Sequence, residues 1–133
     1  IRNEEETRSN LLKIFNDYQT YGLGLYLVED QISSEFLGRA GLIPWSIDGE
    51  LIWEIGYSFR PAAWGRGYAT EAARHLADWG VTELRQQFLV SLIHPQNTSS
   101  IHVAKKIGMV FWKNQKIGSY DLATYRLLGA SSV

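Results

Sequence analysis

Gly65 and Gly67, separated by Arg66, stand between an apolar run that ends at Phe59 and an alanine-rich stretch that begins at Tyr68. Glycine enters left-handed backbone conformations without strain, so such a junction can turn several backbone N–H groups toward one point and let a ligand approach closely. A helix starting near Tyr68 aims its positive dipole end at the same spot. The chemistry this pattern suits is anion binding, above all of a pyrophosphate. Arg60 and Arg66 stand ready to add side-chain charge.

The elements that must position this turn follow from periodicity. Strands are expected at about 23–29, 35–45 and 51–60, alternating or apolar and bounded by glycine, proline and polar residues. Pro44 and the Ile47-Asp48-Gly49-Glu50 turn close the second, Asp-Gly being a strong hairpin signal. Gly56, inside the third, marks a bulge or a close backbone approach. From Tyr68 to about Glu83, Ala69, Ala72, Ala73, Leu76 and Gly80 recur at helical spacing. Phe88 to Ile93 is apolar on both faces, as a central strand parallel to 51–60 would be, which makes a strand–helix–strand unit with a right-handed crossover. Asn97 or Thr98 caps a short helix that stops after Lys105, Lys106 and Gly108. Residues 109–116 and 119–128 form a closing hairpin. A first helix spans Asn3–Gln19, with an apolar stripe of Leu11, Leu12, Ile14, Phe15 and Tyr18. Its Glu4, Glu5 and Glu6 suit a solvated helix start better than a metal site.

The order is α+β: a mixed, mostly antiparallel central sheet with one parallel strand pair and flanking helices. At 133 residues the chain is expected to be a single domain, 1–133. A net charge of −1 provides no general attraction to nucleic acid or to an anionic membrane. Zero cysteines exclude disulfides, thiolate metal sites and a cysteine nucleophile. No apolar run reaches membrane-spanning length. The chain begins at Ile1 rather than Met, so a fragment is expected.

Known phosphate loops can be compared residue by residue. A P-loop needs four residues between its glycines and then Lys-Ser/Thr, which are absent. A dinucleotide fold wants a small residue three after Gly67 and an acid ending the next strand. Thr70 fills the first place poorly, and that strand ends Leu92-Ile93-His94. By contrast Glu54-Ile55-Gly56-Tyr57, Pro61-x-x-Trp64-Gly65-Arg66-Gly67-Tyr68-Ala69-Thr70-Glu71-Ala72, Pro95-x-Asn97-x-x-Ser100 and Lys106-Ile107-Gly108-Met109 together resemble the GCN5-related N-acetyltransferase (GNAT) superfamily, and within it the RimJ/RimL-like branch. The likeness runs from about Gly22 to Leu128. It implies that the first strand of that fold lies before Ile1.

The resemblance implies acetyl-CoA as co-substrate, no metal, and a cytoplasmic location. Backbone N–H groups of Trp64, Gly65, Arg66, Gly67, Tyr68, Ala69 and, in the helix's first turn, Thr70 would cradle the pyrophosphate. The pantetheine would run beside Tyr57, Ser58 and Phe59, where strand 51–60 splays from strand 86–93. Asn97 and Ser100 would close the other side. Ala62 departs from the family pattern, in which Gln or Arg is common, and matters little if the contacts are main-chain.

Acetyl transfer needs a neutral amine. An N-terminal amine of pKa near 8 is about 10% neutral at pH 7, and a lysine near 10.4 is under about 0.1% neutral. A base, direct or through water, is therefore useful. Related enzymes often carry a glutamate on this strand, which makes Glu54 the first candidate; the bland alternative is a half-exposed strand residue. His94 is the second, while His75 and His102 read as surface or core histidines. The tyrosine that many relatives use as an acid toward the leaving thiolate is replaced by Ala104. Ser100 could serve instead, or simply hydrogen-bond at the helix start, and Tyr57 is another hydroxyl on the right strand. Trp45, Trp53, Trp79 and Trp112 read as core or interface, and Trp64 as packing over the loop.

The resulting expectation is an N-acetyltransferase acting on a peptide or protein N-terminus or a small amine, by direct attack in a ternary complex. Nucleic acid and membrane are not expected partners. Edge strands near the C-terminal hairpin leave room for a homodimer. A CoA-binding module without catalysis and a dinucleotide-binding domain stay open as alternatives.

Overall fold

The computed structural model describes residues 12–13, 16–17 and 19–129. Six strands form one sheet in the order β1-β2-β3-β4-β6-β5: β1 Leu25–Glu29, β2 Phe36–Ile47, β3 Glu50–Phe59, β4 Phe88–Ile93, β5 Val110–Ile117 and β6 Tyr120–Leu128. All neighbours pair antiparallel except β3 and β4, which are parallel. Helix α1, Tyr68–Thr82, crosses between β3 and β4, and helix α2, Thr98–Lys106, joins β4 to β5. The α+β reading with a splayed parallel pair holds. Positions 12–13, 16–17 and 19–21 are helical, and the remainder of the expected 3–19 helix, with most of its apolar stripe and its three glutamates, lies outside the described residues.

The β2–β3 hairpin sets the register of the molecule's centre. Asp48 and Gly49 both take positive φ, 52° and 82°, as a two-residue primed turn requires. Ten uninterrupted pairs follow, from Ile47↔Glu50 to Gly38↔Phe59. Two local expectations are corrected here. Pro44 does not close β2 but lies inside it, opposite Trp53. β1 pairs with β2 only as far as Gly41, so the side of Pro44 that lacks an N–H faces no strand, and its carbonyl accepts from Lys13 instead. Gly56 marks neither a bulge nor a backbone approach: a Cβ there would strike the Ile43 side chain. The close backbone approach falls on its partner Gly41, where a Cβ would meet the Gly24 carbonyl.

Helix α1 buries Ala73, Leu76, Ala77 and Gly80 against Leu42, Ile55 and Leu89 of the sheet. Burying one such leucine contributes about 1.5–3 kcal/mol relative to leaving it exposed. Small residues on the helix bring it close: a Cβ on Gly80 would lie 2.7 Å from Leu89 Cδ1. The opposite sheet face carries Ile47, Ile52 and Val90 with Trp45, Phe88, Leu92, Trp112 and Ile117 packed on them. Strand β4 is thus apolar on both faces, as its composition demands. Asn97 caps α2 by accepting from the Ser100 amide at 3.2 Å, and Gly108, at φ 94°, ends it.

Candidate active site

The glycine turn begins where β3 stops. Pro61–Ala63 form one 3-10 turn, and Gly65 and Gly67 follow at φ 75° and 81°. Nothing lies within 4 Å of where a Cβ would stand on either, so glycine is required by backbone conformation rather than by crowding. Gly67 is also the N-cap of α1 and offers no capping side chain. The first helical bond runs from Glu71 N to Gly67 O at 3.1 Å. Ahead of it the amides of Tyr68, Ala69 and Thr70 find no acceptor among the described residues, leaving the donor set that an anion takes at a helix start.

The turn's side chains are turned outward and tied down. Trp64 is exposed and donates its indole N–H to the Phe59 carbonyl at 2.8 Å, packing over the loop. Arg66 donates to the Tyr68 hydroxyl at 2.9 Å and stacks on that ring, and its guanidinium lies 3.7 Å from Glu35. The Tyr68 hydroxyl in turn donates to Asp30, whose other oxygen accepts from the Ile32 and Ser33 amides. Those two backbone bonds, chiefly, hold the Asp30 carboxyl below its ordinary value. Arg60 donates to the Phe36 carbonyl.

Strands β3 and β4 touch at a single rung, Glu54↔Val90, and then diverge. Two cavities occupy the opening. One, of about 640 Å³, runs from the glycine turn along Tyr57, Ser58 and Phe59 to Asn97, Ser100 and Lys106. The other, of about 360 Å³, lies on the Glu54 side, with Lys13, Asp17, Arg39 and Trp45 in its wall. Tyr57, Ser58 and Ser100 line both.

Glu54 is half-buried, and both its oxygens are engaged. The Trp45 indole N–H donates to Oε1 at 2.8 Å and the Leu92 amide to Oε2 at 3.2 Å. Burial holds the carboxyl above its ordinary value, and the bonds from Trp45 and Leu92 and the charge of Lys13 pull against it. Lys13 sits 5.0 Å over the Trp45 ring and pairs with Asp17 at 2.9 Å. Burial also raises the Tyr57 phenol, opposed by the neighbouring Ser100 hydroxyl.

Of the residues singled out from sequence, Glu54 and Ser100 share the smaller cavity, and Tyr57, Ser58, Phe59, Trp64, Gly65, Gly67, Tyr68, Ala69, Thr70 and Asn97 join Ser100 along the larger one. Arg66 lines neither. His94 is exposed in the turn after β4, its Nδ1 accepting from the Gln96 amide, and lines neither cavity. Ala104 is the buried residue of α2. Sequence reasoning passed over Lys13, Asp17 and Arg39 and gave Trp45 only a packing role. The hairpin register carried the missing signal: a two-residue Asp48-Gly49 turn puts Ile43 opposite Glu54 and Arg39 opposite Ser58, so 39, 43 and 45 share the face of Glu54.

Comparison with known proteins agrees with this geometry. Residues 1–110 match the family described as the acetyltransferase (GNAT) domain. YkkB, an uncharacterized protein of Bacillus subtilis, is 37% identical over 130 residues, 94% of this chain and 76% of that protein. An acetyltransferase from Agrobacterium tumefaciens matches with a TM-score of 0.81 at 28% identity, covering 95% of this chain and 72% of the other. The ribosomal-protein-S5-alanine acetyltransferase from Vibrio fischeri matches with a TM-score of 0.76 over 100% of this chain and 79% of its own, but at 16% identity the likeness is one of fold. With the family match spanning most of its length, this chain belongs to the GNAT acetyltransferases.

Proposed function

We propose that the protein is an N-acetyltransferase of the RimJ/RimL-like branch, moving an acetyl group from acetyl-CoA to a primary amine by direct attack in a ternary complex. The observation that supports this most is the meeting of two cavities at Tyr57, Ser58 and Ser100, with Glu54 in one and the glycine turn in the other. The turn fits a pyrophosphate, because the open amides of Tyr68, Ala69 and Thr70 stand beside two left-handed glycines with free space above them. Charge-assisted hydrogen bonds contribute roughly 1.5–3 kcal/mol each, so a few offset the cost of association for a micromolar ligand. When bound, acetyl-CoA supplies an activated acetyl thioester. The chain's own groups bind it, strip a proton from the amine and return one to the leaving sulfur.

Glu54 takes the amine proton, directly or through a water. Its raised pKa brings it closer to the working pH than an ordinary carboxylate, which favours a base that must also release the proton. The departing thiolate, of pKa near 8.5, leaves without strong acid assistance. Ser100 and Tyr57 are the hydroxyls we assign to donate to it, the alanine at 104 offering none. No covalent enzyme intermediate is required. The acceptor is a peptide N-terminus or a small amine. The ribosomal-protein substrate named for the Vibrio fischeri structure supports the first of these only through shared fold.

Thiol release from acetyl-CoA in the presence of amines tests the reading. Glu54→Gln is expected to lower kcat by about 10²–10⁴ with the acetyl-CoA KM little changed. An unchanged kcat removes Glu54 from the mechanism. No thiol release with any amine, despite acetyl-CoA binding, favours a CoA-binding module without catalysis.

A further inference from the structure

The cavity beside Glu54 holds four charged side chains, and three of them are satisfied. Asp17 and Lys13 pair with each other at 2.9 Å, and Lys13 also donates to the Pro44 carbonyl. Glu54 accepts from Trp45 and Leu92. Arg39 is the exception: among the described residues its guanidinium has no hydrogen bond, ion pair or ring partner, although the residue is half-buried and lines the cavity wall. A partly buried guanidinium is costly to leave unpaired, and its planar fork matches a carboxylate in a bidentate pair.

The position of Arg39 limits what it can serve. It pairs across the hairpin with Ser58 and Glu54 pairs with Ile43, so the two charges project from one face at rungs four residues apart. That spacing is about 13 Å along the strands, and both residues line the same cavity. Between them lies the Gly41↔Gly56 rung, overlaid by the Gly24 carbonyl and the Ile43 side chain, so a molecule that spans the two charges passes beside these groups rather than across the rung. Arg39 is absent from the wall of the larger cavity, where the glycine turn lies.

Resting on the acetyltransferase reading, we propose that Arg39 selects an amine acceptor that carries a carboxylate a few bonds from the amine, the amine facing Glu54 and the carboxylate facing Arg39. The acceptor is then a zwitterion complementary to the two ends of the cavity. Free aminocarboxylates and peptides with an acidic first residue share this chemistry.

Two matched pairs of acceptors separate these sources: a tripeptide beginning with glutamate against the same peptide beginning with glutamine, and 4-aminobutyrate against butylamine. Within each pair the amines ionise alike. The expected result is a kcat/KM about 10- to 100-fold higher for the carboxylate member of at least one pair. The ratio should fall toward one in Arg39→Ala and recover only in part in Arg39→Lys, which keeps the charge but loses the fork. The same ratio is read from calorimetric binding of the pairs to the Glu54→Gln protein with CoA present, which does not depend on turnover. An Arg39-dependent preference in binding without turnover by the parent protein upholds the carboxylate contact but overturns the acceptor role together with the catalytic reading. No preference in either pair, or a preference that survives Arg39→Ala, overturns the proposal while thiol release upholds the acetyltransferase. A rise in the acetyl-CoA KM alone on Arg39→Ala assigns the guanidinium to the cofactor and also overturns it.

Discussion

Glu54 is pulled in two directions, and its pH behaviour follows from which force wins. Burial outweighs the Trp45 and Leu92 hydrogen bonds, so the fold favours the protonated carboxyl. The stability this contributes is present below the unfolded value near 4.5 and is lost as the pH rises through the higher folded value. Glu54→Gln removes that loss. Urea unfolding should therefore show the variant gaining stability relative to the parent as the pH climbs from 4.5 toward neutrality. A constant difference across that range contradicts the shift. In kinetics, with Glu54 in its proposed role as base, the acid limb of kcat/KM should lie above 4.5, because that base must be deprotonated. Trp45→Phe deletes a donor that favours the charged carboxylate, so it should move that limb to still higher pH. A limb that stays in place reduces Trp45 to packing.

Among the elements, the turn before α1 and strand β6 carry separate predictions. Gly65→Ala and Gly67→Ala place a Cβ in left-handed conformations, which costs about 1–2 kcal/mol each although nothing crowds the new methyl. Asparagine tolerates this conformation better than alanine, so Gly67→Asn should unfold at higher denaturant than Gly67→Ala. Equal midpoints contradict a backbone origin. On β6, Thr124 is 2% exposed and its hydroxyl has no partner among the described residues. Thr124→Val keeps the shape and removes the unpaired hydroxyl, so it should raise stability by about 1 kcal/mol, seen as a higher melting temperature. A lower one points to a partner for that hydroxyl.

The elements were legible because local chemistry decided them: the Asp48-Gly49 turn, the α1 periodicity, the Asn97 cap and the Lys105-Lys106-Gly108 stop. Pro44 was misread because its tolerance depends on where β1 ends, which is a fact of pairing rather than of β2's own residues.

At the scale of the molecule, the glycine-turn side of the candidate site was largely readable, since Trp64–Thr70 and the end of β3 are close in sequence as well as in space. The Glu54 side was not. Its wall is assembled from Lys13 and Asp17 of the N-terminal helical segment, Arg39 and Trp45 of β2, and Glu54 of β3, which meet only once the sheet has closed and the helical segment has docked. The opening that both cavities share exists because β3 and β4 hold together at one rung and then part, and a pairing defect of that kind has no residue signature of its own. Within the described residues no helix is long and apolar enough to cross a membrane.

The central claim is that the opened parallel pair and the glycine turn receive acetyl-CoA. Thermal unfolding with acetyl-CoA, NAD and ATP added separately tests it most directly. Acetyl-CoA at about 100 times its dissociation constant should stabilise the protein by about 2.7 kcal/mol, a rise of several degrees, with no comparable rise from the other two. A rise with NAD or ATP and none with acetyl-CoA contradicts the account and gives the turn to a different phosphate.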